Sequence, residues 1–304
     1  PMPIYMGYAS NTYTNIGEAN NRGIEMNLEW RDKTESGFEY NVGVNMSTIR
    51  NRMTKLNGGT PISDGPFRNG SMYLTYTNEG MPIGAFWGYK TDGLIQTQEQ
   101  LNAVKRADFQ PNAELGDVLF VDTNGDGKLD SSDRCMIGNP IPDIIYGINM
   151  GMAWKGFDLN LQFGGTIGNQ IFNAMRYYTY FPNDITNKDR ALMNYWTPNN
   201  TNTDIPRLTA TDVNDNDRFS DMYVENGTYF RLRNAQLGYT LPASLTQRIK
   251  LQKVRFYVSG QNLFTISSYS GMDPEVGQSS SLSRGIDYGI YPQNISSVSY
   301  THLR

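Results

Sequence analysis

Residues 146–163 read YGINMGMAWKGFDLNLQF, and their alternation decides the fold. Tyr146, Ile148, Met150, Met152 and Trp154 are apolar, while Gly147, Asn149, Gly151 and Ala153 between them are small or polar. Lys155-Gly156 makes a turn. Phe157, Leu159, Leu161 and Phe163 then alternate with Asp158, Asn160 and Gln162. Successive strand side chains point to opposite faces, so this is a β-hairpin with one greasy face and one polar face.

The same design recurs outward from it. Ile24, Met26, Leu28 and Trp30 alternate with Glu25, Asn27 and Glu29; residues 31–37 turn; Phe38, Tyr40, Val42, Val44 and Met46 alternate with Glu39, Asn41, Gly43 and Asn45. Alternation returns over 229–241 and over 254–264. In the first of these the apolar phase slips between Leu232 and Ala235, which a β-bulge explains. Weaker strands are expected around 71–77 and 83–90, and a short helix over 96–109. Residues 1–19 read as a polar, aromatic loop, and 50–70 as a polar loop. Residues 165–228 hold no clean strand, and so long a connection is usually functional. The sum is about eight to ten strands with short turns on one side and long loops on the other, the layout of an outer-membrane barrel.

Composition narrows the function. The chain has 304 residues and a net charge of −4, so no basic nucleic-acid surface is expected. Mean hydropathy is −0.54 and there is no long apolar run for a membrane helix. Barrel strands escape that test because they alternate. The polar faces carry Asn, Gln and Gly rather than Lys–Glu pairs, which suits a wet lumen. Trp30 and Trp154 sit at strand ends, where an aromatic girdle lies. The only cysteine, Cys135, allows no internal disulfide, and nothing beside it in sequence activates it as a nucleophile. The only histidine, His302, leaves no histidine triad or zinc cluster. A glycosidase would need a carboxylate pair, but the acids gather in one loop, so no enzyme is expected.

That loop holds Asp122, Asn124, Asp126, Asp130 and Asp133, with Gly127 between them. Counted from Asp122, oxygen side chains fall at the first, third, fifth, ninth and twelfth positions of a calcium loop, and glycine at the sixth. The Lys128 carbonyl would complete a structural Ca2+ site. Asp133 stands where such loops have Glu, and no helices flank the loop. The second candidate group is aromatic: Tyr177, Tyr178, Tyr180, Phe181, Tyr195 and Trp196 could stack on a sugar ring or a peptide side chain. The competing and preferred reading packs them against the barrel or a partner. Arg231 and Arg233 read as lumen charges rather than ligand clamps, and Asp158 and Glu25 as residues of the polar face.

Several ordered stretches now resemble one family. They are Gly80–Gly93 (GMPIGAFWGYKTDG), Gly116–Asn173, Trp196-Thr197-Pro198 with Asp204–Arg207, Tyr229–Pro242 (YFRLRNAQLGYTLP), Tyr257–Phe264 (YVSGQNLF) and Gly285–Gln293 (GIDYGIYPQ). Together they resemble the C-terminal half of SusC/RagA-type TonB-linked outer-membrane proteins. The resemblance implies an all-β fold: part of an antiparallel transmembrane barrel of roughly 22 strands with long extracellular loops. It further implies import of oligosaccharides or peptides, a SusD-like surface lipoprotein as partner, and energy from the TonB complex. On this reading residues 1–293 are the C-terminal barrel portion, and the plug and TonB contact lie in a region this sequence lacks. Residues 294–304 (NISSVSYTHLR) depart from the family pattern and read as a non-native tail. The alternative is a soluble calcium-stabilised β module that binds carbohydrate or acts as an adhesin, in which the greasy faces pack on each other.

Overall fold

A computed structural model describes residues 17–56, 58–181, 187–249, 251–276, 280–289 and 296–303. Most of the loop read over 1–19 and the end of the 285–293 motif lie outside these residues. The wall of the molecule is one seven-stranded antiparallel sheet. Its strands are β1 (Glu25–Lys33), β2 (Glu39–Thr48), β3 (Ile144–Trp154), β4 (Phe157–Ile167), β5 (Tyr229–Thr240), β6 (Val254–Ser267) and β7 (Ser296–Leu303). Each pairs with its neighbour in this order, so the wall is an up-and-down meander.

Register follows the side-chain alternation. Met150 lies between Val42 and Leu161, and Asn149 lies between Gly43 and Gln162. One face is therefore apolar across the sheet and the other polar. The apolar face is uncovered: Leu28, Trp30, Phe157, Val258 and Ile266 are each more than half exposed. A soluble sandwich would bury these side chains under a second sheet, and among the described residues no second sheet covers them. The β3–β4 turn is tight because Lys155 (φ 49°) and Gly156 (φ 90°) both take the left-handed conformation that two-residue hairpins require.

The bulge sits where the phase slips. Leu232 opposes Phe163 and Asn234 opposes Gln162, so Arg233 is the extra residue. At the tail, Ser296–Leu303 pairs with Val254–Gln261 although 294–304 depart from the family pattern. Ladder bonds come from the backbone, so pairing does not require that pattern.

The long connections do not hang free. The described residues of 49–143, 168–228 and 268–289 fold together at one end of the wall into a compact cap. The expected weak strands are here, as Met72–Thr77 and Ala85–Gly88, so they belong to the cap and not the wall. The expected helix is Gln98–Arg106, started by a capping box between Thr97 and Gln100. Where no strand was legible, Gln170–Asn173 pairs antiparallel with Val224–Asn226 and parallel with Ile286–Asp287. One apolar cluster holds Phe67, Leu74, Phe86, Phe172, Tyr177 and Phe219; a second holds Leu94, Phe109, Val118, Phe120 and Trp196. Their packing gives the cap a core of its own, apart from the wall.

Candidate functional site

The polar face of the wall is built from small and amide side chains, with glycines at the points of closest approach. A Cβ on Gly151 would stand 2.2 Å from Asn41 Oδ1, and one on Gly147 would stand 2.8 Å from Asn45 Oδ1. Gly238 leaves room for the Arg255 guanidinium to cross β5 and bind Asp158, with Nε at 3.0 Å and Nη2 at 2.5 Å. The Asp158 carboxylate is thus neutralised within the wall.

Where β5 and β6 enter the cap, Arg231 is only 3% exposed. It donates to Asp273, to Glu275 at 2.9 Å and to Thr265 Oγ1 at 2.9 Å. Arg233 donates to Tyr229 Oη at 3.0 Å and to Glu275 at 3.2 Å. These arginines tie the loop after β6 to the wall. Both guanidinium groups are paired with carboxylates of that loop, whereas a ligand clamp would keep its charge for the ligand.

The aromatic candidates divide. Tyr177 is 1% exposed and Trp196 6% exposed, both inside apolar clusters. Neither offers a ring to a ligand; both pack in the core of the cap. The Tyr177 hydroxyl donates to the Asp217 carbonyl at 2.9 Å and accepts from Arg68 Nη1 at 3.1 Å. Burial pushes this phenol well above its ordinary range. A Cβ on Gly116 would fall 2.3 Å from Trp196 Cε3, so the indole lies flat on that glycine. Tyr178 is half-buried against Phe67, with ring centroids 5.1 Å apart. Phe181 is buried and Tyr195 half-buried.

Tyr180 alone of the expected rings reaches a polar cleft, which encloses about 310 Å3 and is lined also by Asn173, Arg176, Asp189, Met272 and Asp287. Arg176 lies 5.1 Å from the Tyr180 ring centre and pairs with Asp204 and Glu225. Its Nε is buried and finds no hydrogen-bond acceptor among the described residues. Asn173 Nδ2 donates to Glu225 and to Ser270 Oγ, both at 3.0 Å. The Tyr269 hydroxyl donates to Asp287 at 2.6 Å. Sequence reading missed this cleft because its walls come from three segments, near 173–189, 225 and 269–289, that nothing in the local pattern connects.

The acidic loop curls as expected, but around its own N–H groups. Asp122 accepts from Gly125 N at 2.6 Å and Gly127 N at 2.8 Å. Asn124 accepts from Asp126 N, and Asp126 from Lys128 N. Asp130 accepts from Ser132 N. Asp133 is fully buried and holds Thr123 N at 3.0 Å and Asp130 N at 2.9 Å. Among the described residues no three Asp, Glu, His or Cys side chains gather as a metal would hold them. A cation here must displace the bond from Asn124 Nδ2 to Asp126, 3.0 Å long. Cys135, just after the loop, has its thiol pushed up by burial, which is the environment of an inert residue.

No family model matches the sequence. A protein of Formosa agariphila described as TonB-dependent receptor P3 is 36% identical over 96% of this chain and 29% of its own length. TonB-dependent receptor SusC of Bacteroides thetaiotaomicron is 26% identical over 96% of this chain and 27% of its own. A solved structure described as the RagAB peptide transporter superposes with a TM-score of 0.76 and 25% identity, covering all of this chain and 31% of that one. The chain thus spans under a third of the length of these relatives. With an uncovered apolar face, a polar face behind it and these relatives, the chain belongs to the TonB-dependent receptors of the SusC/RagA type.

Proposed function

We propose that this chain supplies barrel strands and outward loops of an importer in the outer membrane that carries oligosaccharides or peptides and catalyses no reaction. The observation that carries this is the wall itself. Its apolar side chains face out uncovered, and its Asn, Gln and Gly side chains face the other way. The first face suits lipid and the second a water-filled lumen. The cap then stands at the extracellular end, because the β1–β2 and β3–β4 turns at the other end are short. Uptake driven by the TonB complex, through parts of the receptor beyond this chain, and a SusD-like lipoprotein seated over the cap complete the proposal. Membership of the receptor family supports both. The cleft beside Tyr180 supports a polar solute with some apolar surface, a description that sugars and peptides share.

The test is the direction of the side chains. Single cysteines replace Met150 or Asn149 in the full-length receptor carrying Cys135→Ser, in membranes. Met150→Cys should react with a lipid-restricted thiol probe and Asn149→Cys with a water-restricted one. If Met150→Cys is closed to both probes, the greasy face is an internal core and the importer reading fails. The spacing of Asp122, Asn124, Asp126, the Lys128 carbonyl, Asp130 and Asp133 also supports a proposal of structural Ca2+. Calcium should then slow proteolysis of the loop in the parent receptor and not in Asp126→Ala; equal rates with and without a chelator would remove it.

A further inference from the structure

We propose that Arg22, Arg50 and Arg52 bind the phosphate of a membrane-lipid headgroup at the outer rim of the barrel. This rests on the lipid-facing reading of the wall given above. Strand Gly17–Arg22 pairs with Arg50–Leu56, placing Arg22 opposite Arg50 and Asn20 opposite Arg52. The ladder breaks at residues 23–24 and 49, where this two-stranded sheet meets the wall, but the register is the same on both sides. Ile24 N donates to Thr48 Oγ1 and Thr48 N donates to the Ile24 carbonyl, both at 2.9 Å, and Met26 then opposes Met46. Alternate residues share a face, so Arg22 follows Ile24, Met26 and Leu28, and Arg50 and Arg52 follow Thr48, Met46 and Val44. All three guanidinium groups therefore stand on the apolar side of the wall, just past its last apolar residue. Arg22 is two residues beyond Ile24, roughly 7 Å along the strand. The headgroup layer adds about 5–7 Å to each side of the hydrocarbon core, so this is headgroup depth.

The charges await a counterion. Like charges directly opposite in a ribbon repel. Among the described residues, none of the three makes an ion pair, and the only hydrogen bond from them is Arg22 Nε to Asn20 Oδ1 at 3.2 Å. By contrast Arg31, Arg176, Arg207, Arg231 and Arg255 each meet a carboxylate. On the same ribbon Glu18 faces Lys55 in register, and Glu79 accepts from Leu56 N at 2.7 Å. Between the arginines lies a cleft of about 470 Å3 bounded by Asn20, Thr54 and Gly80. Gly80 has φ 85°, and its N–H is bonded to the Met53 carbonyl at 2.8 Å; having no side chain, it leaves the space beside Arg52 Nη2 open. Forked guanidinium donors converging on a small open cleft match a phosphate group. A soluble phosphate has the same chemistry. The position on the lipid side of the wall selects the membrane lipid.

The full-length receptor and its R22Q/R50Q/R52Q variant are placed in nanodiscs of phosphatidylcholine, with or without phosphatidylglycerol, and retained phosphatidylglycerol is counted by native mass spectrometry. The parent should retain it, and the variant should lose roughly tenfold or more, since each basic side chain near an anionic surface contributes about fivefold. Arg52→Gln alone should give an intermediate loss. Equal thermal midpoints in phosphatidylcholine alone would show that the variant is folded. Equal retention by parent and variant overturns the proposal, as does full displacement by inorganic phosphate, which would make this a soluble-anion site. The Met150→Cys lipid probe, run in the same discs, separates the two readings. If it labels while retention ignores the arginines, this proposal alone fails. If it does not label, the wall reading fails first.

Discussion

Tyr177 shows how a residue that reads as a ligand platform becomes a core residue. Its ring is edge-on to Phe67 at 5.1 Å and packs on Tyr223 at 4.9 Å, while its hydroxyl bridges Arg68 and the Asp217 carbonyl. Tyr177→Ala should cost about 3–5 kcal/mol, as truncation of a buried ring does, and should raise hydrogen exchange throughout the cap. Tyr180→Ala should leave cap exchange unchanged and alter uptake. Asp122 gives a pH prediction. Backbone N–H groups, Gly127 first, stabilise its charged form and hold its carboxyl below the ordinary 3.8. A depressed carboxyl contributes stability above its unfolded value and loses it as pH falls through the folded one. Pepsin cleavage of the loop should therefore rise steeply below about pH 3.8, and Asp122→Asn should remove that step. At this scale Tyr180 stood out in the sequence as an aromatic candidate. Its cleft partners Arg176 and Asp287 did not, because burial and distant contacts are absent from a local pattern.

At the scale of elements, the hairpins were legible because a half-buried or lipid-facing strand must alternate, and a slip of one residue moves every side chain to the wrong face. The slip at Leu232 announced the bulge, and Arg233 is the residue that makes it. Inserting one residue after Gln236, in the regular part of the strand, should throw residues 237–240 out of phase with β4 and β6. The receptor should then fail to reach the heat-modifiable folded form on gels, whereas Arg233→Gln should reach it. The cap strands were the harder case. Gln170–Asn173 is four residues long and pairs with Val224–Asn226 and Ile286–Asp287, segments far from it in sequence. Short buried strands carry no alternation to read.

For the whole molecule, the wall's two faces predict opposite responses to charge. Met150→Arg should cost about 2–4 kcal/mol when the receptor folds into lipid vesicles, measured by urea unfolding, because a guanidinium near the bilayer midplane is costly. Asn149→Arg, on the lumen face, should change stability by only about 0.5 kcal/mol, as substitutions at wet surfaces do. Equal costs would mean that both faces see the same medium. The sequence by itself determined the two hairpins of the wall, their two faces and the phase slip, because backbone period and side-chain polarity are local properties that a linear pattern records. Only the tertiary structure decided that the long loops form a cored cap, that Tyr177 and Trp196 are buried in it while Tyr180 lines a cleft, and that Arg22 meets Arg50 and Arg52. Each of these depends on segments brought together by packing and pairing, and the free energy of such contacts belongs to the pair and not to either stretch of sequence.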